Sequence, residues 1–301
     1  MAVSDPFPAM TRQRRATLAA LMMIAAAFLN GLDAAIVRTL AHGVHPLIIG
    51  FFRAFFGLLV LLPWIVTQVD LRASPYRWLH ALRAGLKLAA LVSLFVAFMH
   101  APLADATAIN FSMPIFLILG AWLFLGEQIG IGRILAVLAG FAGIMIIIRP
   151  GVTGFDPWLL FALAGAVLTA IIQLMLRRMA LNDTTDRLVA WNLLAMAPIG
   201  LIVALPVWVT PSPWQLALLA LQGGLGALNM TLITRAFGMA DASFLAPLDF
   251  LRLPIVALLA FLLFGEVATT STWIGAAIIC AAPLALAGGS RLLRRRFDDA
   301  P

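Results

Sequence analysis

Asp33, Arg53, Asp249 and Arg252 lie inside stretches that are otherwise nearly pure hydrocarbon. An ionisable group in such a stretch costs about 2.5–3.5 kcal/mol on insertion scales, so it turns toward a cavity and takes a partner. Asp33 and Arg53 are equally far from residue 43, in the short connection between their stretches. If the chain folds back there as two helices, both side chains reach the same depth and can meet. Asn30 precedes Asp33 by three residues and shares its helical face. Asp249 and Arg252 are also three apart, and on a continuous helix they share a face as well. Two cations and two carboxylates suit a solute carrying both signs of charge. The guanidinium groups would hold its anionic part, and a carboxylate would hold an amine or take up a proton. A static ion pair that fixes helix packing is the other reading of each pair, and spacing leaves both open.

Other chemistries lack their residues. His42, His45, His80 and His100 fall in connections or near helix ends, with no third ligand near His42 and His45. No metal site is expected. Cys280 is the single cysteine, so no internal disulfide can form. No phosphate-cradling loop, dinucleotide fingerprint or nucleophile–base constellation is present. The reading is therefore not an enzyme, with no cofactor.

The elements that position these residues follow from composition. Hydrophobic residues make up 63% of the 301 and charged residues 11%, and the mean hydropathy is +1.05. A soluble domain carries about 25% charged residues. Runs of about 20 apolar residues, long enough to span a bilayer as helices, recur throughout. The expected fold is all-α and integral to the membrane, with helices near 17–39, 45–67, 78–99, 104–125, 131–149, 157–177, 187–209, 214–237, 242–264 and 269–288. The opening "RQRRATLAALMMIAAAF" has the pattern of a secretory signal, but its apolar run continues and is read as the first span.

The net charge of +7 does not describe a nucleic-acid surface, because the basic residues cluster in short connections and tails. With the N-terminus inside, the inner segments hold most of the arginines and the outer ends only Arg38 and Arg149. Both termini are thus expected in the cytoplasm of a cell with a bacterial-type inner membrane. Tryptophans 64, 78, 158, 208, 214 and 273 lie near predicted ends, as an interfacial belt would.

The chain also resembles itself. Gly126-Glu127 matches Gly265-Glu266 at an offset of 139 (265 − 126), which also sets Asn110 on Asp249 and Arg53 on Asn192. Five helices occur twice. Because five is odd, the second copy enters the membrane from the opposite side, an inverted repeat with its site near the midplane. The expected units are 15–150 and 157–290, flanked by cytoplasmic tails 1–14 and 291–301.

Each half resembles an EamA domain of the drug/metabolite transporter superfamily, through "FFRAFFGLLVLLPW" (51–64), "PIFLILGAWLFLGE" (114–127), "GFAGIMIIIRPG" (140–151) and "ADASFLAPLDFLRLPIVALLAFLLFGE" (240–266). The resemblance implies a ten-helix transporter without ATP hydrolysis. The substrate site is expected at Asp33, Arg53, Asp249 and Arg252, with Asn30, Asn110, Trp191 and Asn192 beside them. Charges of both signs make an amino acid-like metabolite the first expectation. A vitamin, nucleoside-like cofactor or drug is the alternative, and a polytopic enzyme or non-transporting membrane partner is the rival of another class. Expected partners are the small solute, the bilayer and, as an open alternative, a coupled proton or sodium ion. Two copies in one chain are enough for a monomer to work. Arg83 and Lys87 are expected to snorkel to the surface. Gln173, Gln222 and Asn229 are expected to make interhelical hydrogen bonds, and Glu127 and Glu266 to end helices at the surface.

Overall fold

The computed structural model of the chain describes residues 12–71, 74–125, 131–149, 156–179, 182–240 and 242–281. Gly126, Glu127, the Gly151 loop, both tails and the predicted last helix beyond residue 281 lie outside them. Every regular element among the described residues is helical. In chain order these are α1 (Arg12–Leu40), α2 (Pro46–Gln68), α3 (Arg77–His100), α4 (Leu103–Asn110), α5 (Met113–Leu125), α6 (Ile131–Ile148), α7 (Leu159–Met179), α8 (Thr185–Ala204), α9 (Pro213–Met239), α10 (Ala242–Asp249) and α11 (Arg252–Phe264), followed by α12 (Thr270–Ala281). Seven segments are long and apolar enough to cross a membrane, taking α4 and α5 as one, and α6, α11 and α12 contribute shorter apolar helices. The protein is an all-helical, multi-pass membrane protein.

Helix starts carry their own signals. Ser212 and Gln215 form a reciprocal capping box around Pro213 at the head of α9. Thr184 caps α8, and His45 caps α2 just before Pro46. Each cap satisfies amide groups that the first helical turn leaves free. At the far end of α11, Gly265 takes a left-handed conformation with φ 69°, which a residue without Cβ adopts readily.

The interior centres on Phe95, Ile48, Ile49, Ile109 and Ile115, all fully buried. Leu123, Phe124, Leu258 and Leu262 point outward and are exposed, which suits hydrocarbon because a helix satisfies its own backbone. Where α6 crosses α12, a methyl added at Gly143 would sit 2.8 Å from the Gly275 carbonyl oxygen. Small residues are what let helices come this close in a membrane.

Two predicted spans prove to be broken. The fourth divides into α4 and α5 at Phe111–Ser112, and the ninth into α10 and α11 at Phe250–Leu251. A proline follows each break and removes one backbone hydrogen bond across it. Pro114 has no amide hydrogen to close on the Asn110 carbonyl, and Pro254 has none for Phe250. The backbone tightens instead, with Ser112 N donating to Ile109 O at 2.9 Å and Leu253 N to Phe250 O at 3.1 Å. The expectation that Asp249 and Arg252 share one continuous helical face is thereby corrected, since the break falls between them.

The connections gather at two ends. At one, Arg38 of α1, the α3–α4 connection and the α11–α12 connection meet through Glu266, and Arg149 donates to Thr269 at 3.1 Å. At the other, the α2–α3 and α7–α8 connections meet through Ser74 and Asp183. This grouping is what a regular back-and-forth traverse requires. Trp78 and Trp214 are exposed at helix starts, as a belt would be. Trp208 is not; it packs inward against Phe51 and Phe52, each ring 5.8 Å away.

Candidate functional site

Arg53 of α2 pairs with Asp33 of α1, the contact that hairpin depth suggested. Its guanidinium lies 5.8 Å from the centre of the Phe95 ring on α3. A methyl added at Gly226 of α9 would come within 3.2 Å of Arg53 Nη2, so the missing side chain is what leaves room for the cation. Asn30 accepts a hydrogen bond from Asn229 Nδ2 at 3.1 Å, joining α1 to α9 on the same tier. The neighbouring Gly31 packs against Ile255 and Leu259 of α11, one to two turns beyond Arg252. Four helices and a broken fifth thus frame a polar interior.

The two breaks meet within that interior. Arg252 Nη2 donates to Asn110 Oδ1 at 3.4 Å, a long hydrogen bond. Its guanidinium also sits over the Phe111 ring, 4.5 Å from the centroid, a distance at which the ring quadrupole attracts a cation. Phe111 and Phe250 pack edge to face at 5.2 Å. Asn110, Phe111 and Phe250 are therefore the residues at the two breaks, and Arg252 is the first residue after one of them. Asp249, half-buried, ends α10, while Arg252 turns to Asn110. The aromatic pair was not singled out from the sequence, although Phe111 and Phe250 obey the same 139-residue offset as Asn110 and Asp249.

Trp191 and Asn192 sit elsewhere. Trp191 Nε1 donates to the Leu71 carbonyl at 3.2 Å, and its ring stacks on His80 at 5.4 Å. This belongs to a knot that the sequence did not reveal. Ser74 Oγ donates to Asp183 Oδ2 at 2.6 Å, His80 Nε2 lies 3.0 Å from that same oxygen, and Arg187 reaches Asp183 from the next turn. Arg83 is buried beside it and donates to the Leu188 carbonyl, which corrects the expectation that it snorkels. Serine, histidine and aspartate together suggest a nucleophile triad, but the geometry is wrong. A triad base faces its acid with one nitrogen and its nucleophile with the other. Here Ser74 and Asp183 both meet Nε2, and His80 is 0% exposed. Asn192 is half-buried one residue along α8 from Trp191.

Glu266 is more than a helix terminus. One oxygen accepts from Arg38 at 2.6 Å and the other accepts from the Leu103 amide at 3.0 Å, at the start of α4. Asp105, two residues further on, accepts from Thr272 of α12. Among the described residues no group of three or more His, Cys, Asp or Glu side chains is placed to hold a metal ion.

Discontinuous helices whose breaks meet in the interior of an all-helical bundle are an architecture of membrane carriers. Known proteins bear on this directly. The model of a family described as the EamA-like transporter family matches residues 17–149. An S-adenosylmethionine uptake transporter of Rickettsia bellii is 32% identical over 82% of this chain and 85% of its own. A riboflavin transporter of Vibrio cholerae is 32% identical over 83% of this chain and 87% of its own. A crystal structure at 23% identity shares the fold with a TM-score of 0.59, covering 94% of this chain and 99% of its own. The chain belongs to the EamA-like transporter family of the drug/metabolite transporter superfamily. It is a transporter of a small molecule, not an enzyme.

Proposed function

We propose that the chain carries a nucleoside-like or vitamin-type cofactor, in place of the simple amino acid first expected. S-adenosylmethionine joins a flat purine to a ribose and an amino-acid head. Riboflavin joins a flat ring system to a hydroxylated chain. The shared chemistry is a planar ring with a polar edge and a hydroxylated tail. The observation that carries the reading is the meeting of the two helix breaks. There Phe111 and Phe250 offer aromatic surface, and Arg252 and Asn110 offer donors and an acceptor beside it. Stacking a base on an aromatic side chain contributes about 1–3 kcal/mol. A free aliphatic amino acid has no ring to use that surface. In this reading Arg252 and Asn110 hold the ring or its anionic substituents, and Asp33, Arg53 and Asn30 hold the polar tail. Asp249 and Asp33 are the carboxylates available to a coupled proton.

The mechanism that fits is alternating access, with two inverted five-helix units, 15–150 and 157–290, rocking about that interior. Support comes from the two breaks, which fall at the same 139-residue offset as the sequence repeat. The asymmetry of arginines supports an inner-membrane location with both termini cytoplasmic.

A ligand-stabilisation screen of the purified protein tests the proposal, with S-adenosylmethionine, riboflavin, adenosine and free amino acids as probes. A ligand at a hundred times its Kd raises stability by about 2.7 kcal/mol. A flat-ring solute should raise the melting temperature and enter proteoliposomes, and Arg252→Gln should abolish the rise. Stabilisation by amino acids alone would return the reading to its first form. Normal binding and flux in Arg252→Gln would move the site away from the breaks.

A further inference from the structure

Gln222 of α9 is 0% exposed, and neither atom of its carboxamide has a hydrogen-bond partner among the described residues. A buried polar group left unpaired destabilises the protein by its full desolvation. Native proteins keep few of them, and each calls for a reason. Gln222 is one helical turn from Gly226, the residue against which Arg53 packs. Asn229 follows on the same side of α9, bound to Asn30 through Nδ2 while its own Oδ1 is also unpartnered. One face of α9 therefore carries unpartnered hydrogen-bonding atoms about one turn to either side of Gly226, the residue packed on Arg53. A sequence reading would make Gln222 an interhelical hydrogen bond, and the structure supplies no such bond.

We propose that Gln222 is a substrate-reading residue whose carboxamide pairs with a solute edge bearing a donor beside an acceptor. This rests on the cofactor reading and names the part of the solute that is read. A primary carboxamide is planar and offers one acceptor beside one donor. Its complement is a planar edge with the same two functions reversed. The purine of adenine has such an edge, which glutamine grips bidentately through N6–H and N7. The pyrimidinedione edge of riboflavin, with an N–H between two carbonyls, has one too. An aliphatic amino acid has none. When the helices part to admit the solute, the amide exchanges its unpaired state for two hydrogen bonds. A site built to pair with a polar edge rejects analogues that lack it, because its own groups are then stranded.

The experiment measures binding of two solutes and their edge-deleted analogues to wild type and to Gln222→Leu. The solutes are S-adenosylmethionine and riboflavin. The analogues are the purine riboside form lacking the exocyclic amine and N3-methylriboflavin. In wild type, for the solute that binds, deleting the edge should weaken binding about tenfold or more. In Gln222→Leu the full solute should bind about as weakly as the analogue, with a difference of about twofold at most. The apo forms of Gln222→Leu and Gln222→Met should be at least as thermally stable as wild type, since each removes an unpaired buried amide. An analogue penalty that is the same in wild type and Gln222→Leu overturns the proposal, leaving the cofactor reading intact. So does loss of folding in both Leu and Met variants, which would make the amide structural. If neither S-adenosylmethionine nor riboflavin binds wild type, the cofactor reading fails and this inference fails with it.

Discussion

At the end where the α2–α3 and α7–α8 connections meet, Ser74, His80 and Asp183 bond to one another out of contact with solvent, and Arg83 and Trp191 close over them. At the opposite end, Arg38 and Glu266 form an ion pair whose side chains keep 23% and 19% of their exposure. Removing one partner from the first knot strands buried polar groups. Removing one from the second lets water take its place. The two ends are therefore held by contacts of different strength, although the two helix breaks lie 139 residues apart. The difference is visible in residues 139 positions away. At the 139-residue offset from Asp183 and His80 stand Val44 and Leu219, both part of the apolar core. For an alternating carrier, opening the two ends then need not cost the same.

Three measurements break or sharpen this comparison. The largest effect is all or none. Single cysteines at residues 43, 211 and 268 should label from outside the cell, and those at 74, 184 and 239 only from the cytoplasm. Labelling at 184 from the same side as at 268 would place the Asp183 knot and the Arg38–Glu266 pair on one membrane face and end the comparison. Next in size is Asp183→Ala, which leaves His80 and Ser74 buried without their acceptor. It should destabilise the purified protein by about 3 kcal/mol or more, read from denaturant unfolding in micelles. The smallest effect belongs to Glu266→Gln, which keeps an acceptor for Leu103 and loses only a partly exposed ion pair. It should cost about 1 kcal/mol or less in the same assay. Equal losses for Asp183→Ala and Glu266→Gln would show that exposure does not separate the two ends.

Much of the arrangement was legible from residues close in the chain. Asp33 met Arg53 because depth in a hairpin is counted in residues from the turn. Spans four and nine read as continuous because hydropathy stays high through Phe111 and Phe250. Arg83 was expected at the surface, since nothing near it in sequence announces the Leu188 carbonyl. Trp191 was placed in the cavity by its neighbour Asn192, whereas packing turned it toward His80. Gln222 was expected to make an interhelical hydrogen bond, and its empty hydrogen-bonding capacity is visible only once α9 packs against α1 and α2.

The sequence by itself determined the class, the rough limits of most of the helices and the family, because apolar length and local motifs are properties of the linear chain. Only the tertiary structure decided that the breaks face each other, that Arg252 belongs with Asn110 and Phe111 rather than with Asp249, and that Ser74, His80 and Asp183 share one knot. Those contacts join residues up to about 140 positions apart. They depend on how each helix is rotated about its axis and which neighbour it packs against, and ridge-and-groove packing of whole helices sets both.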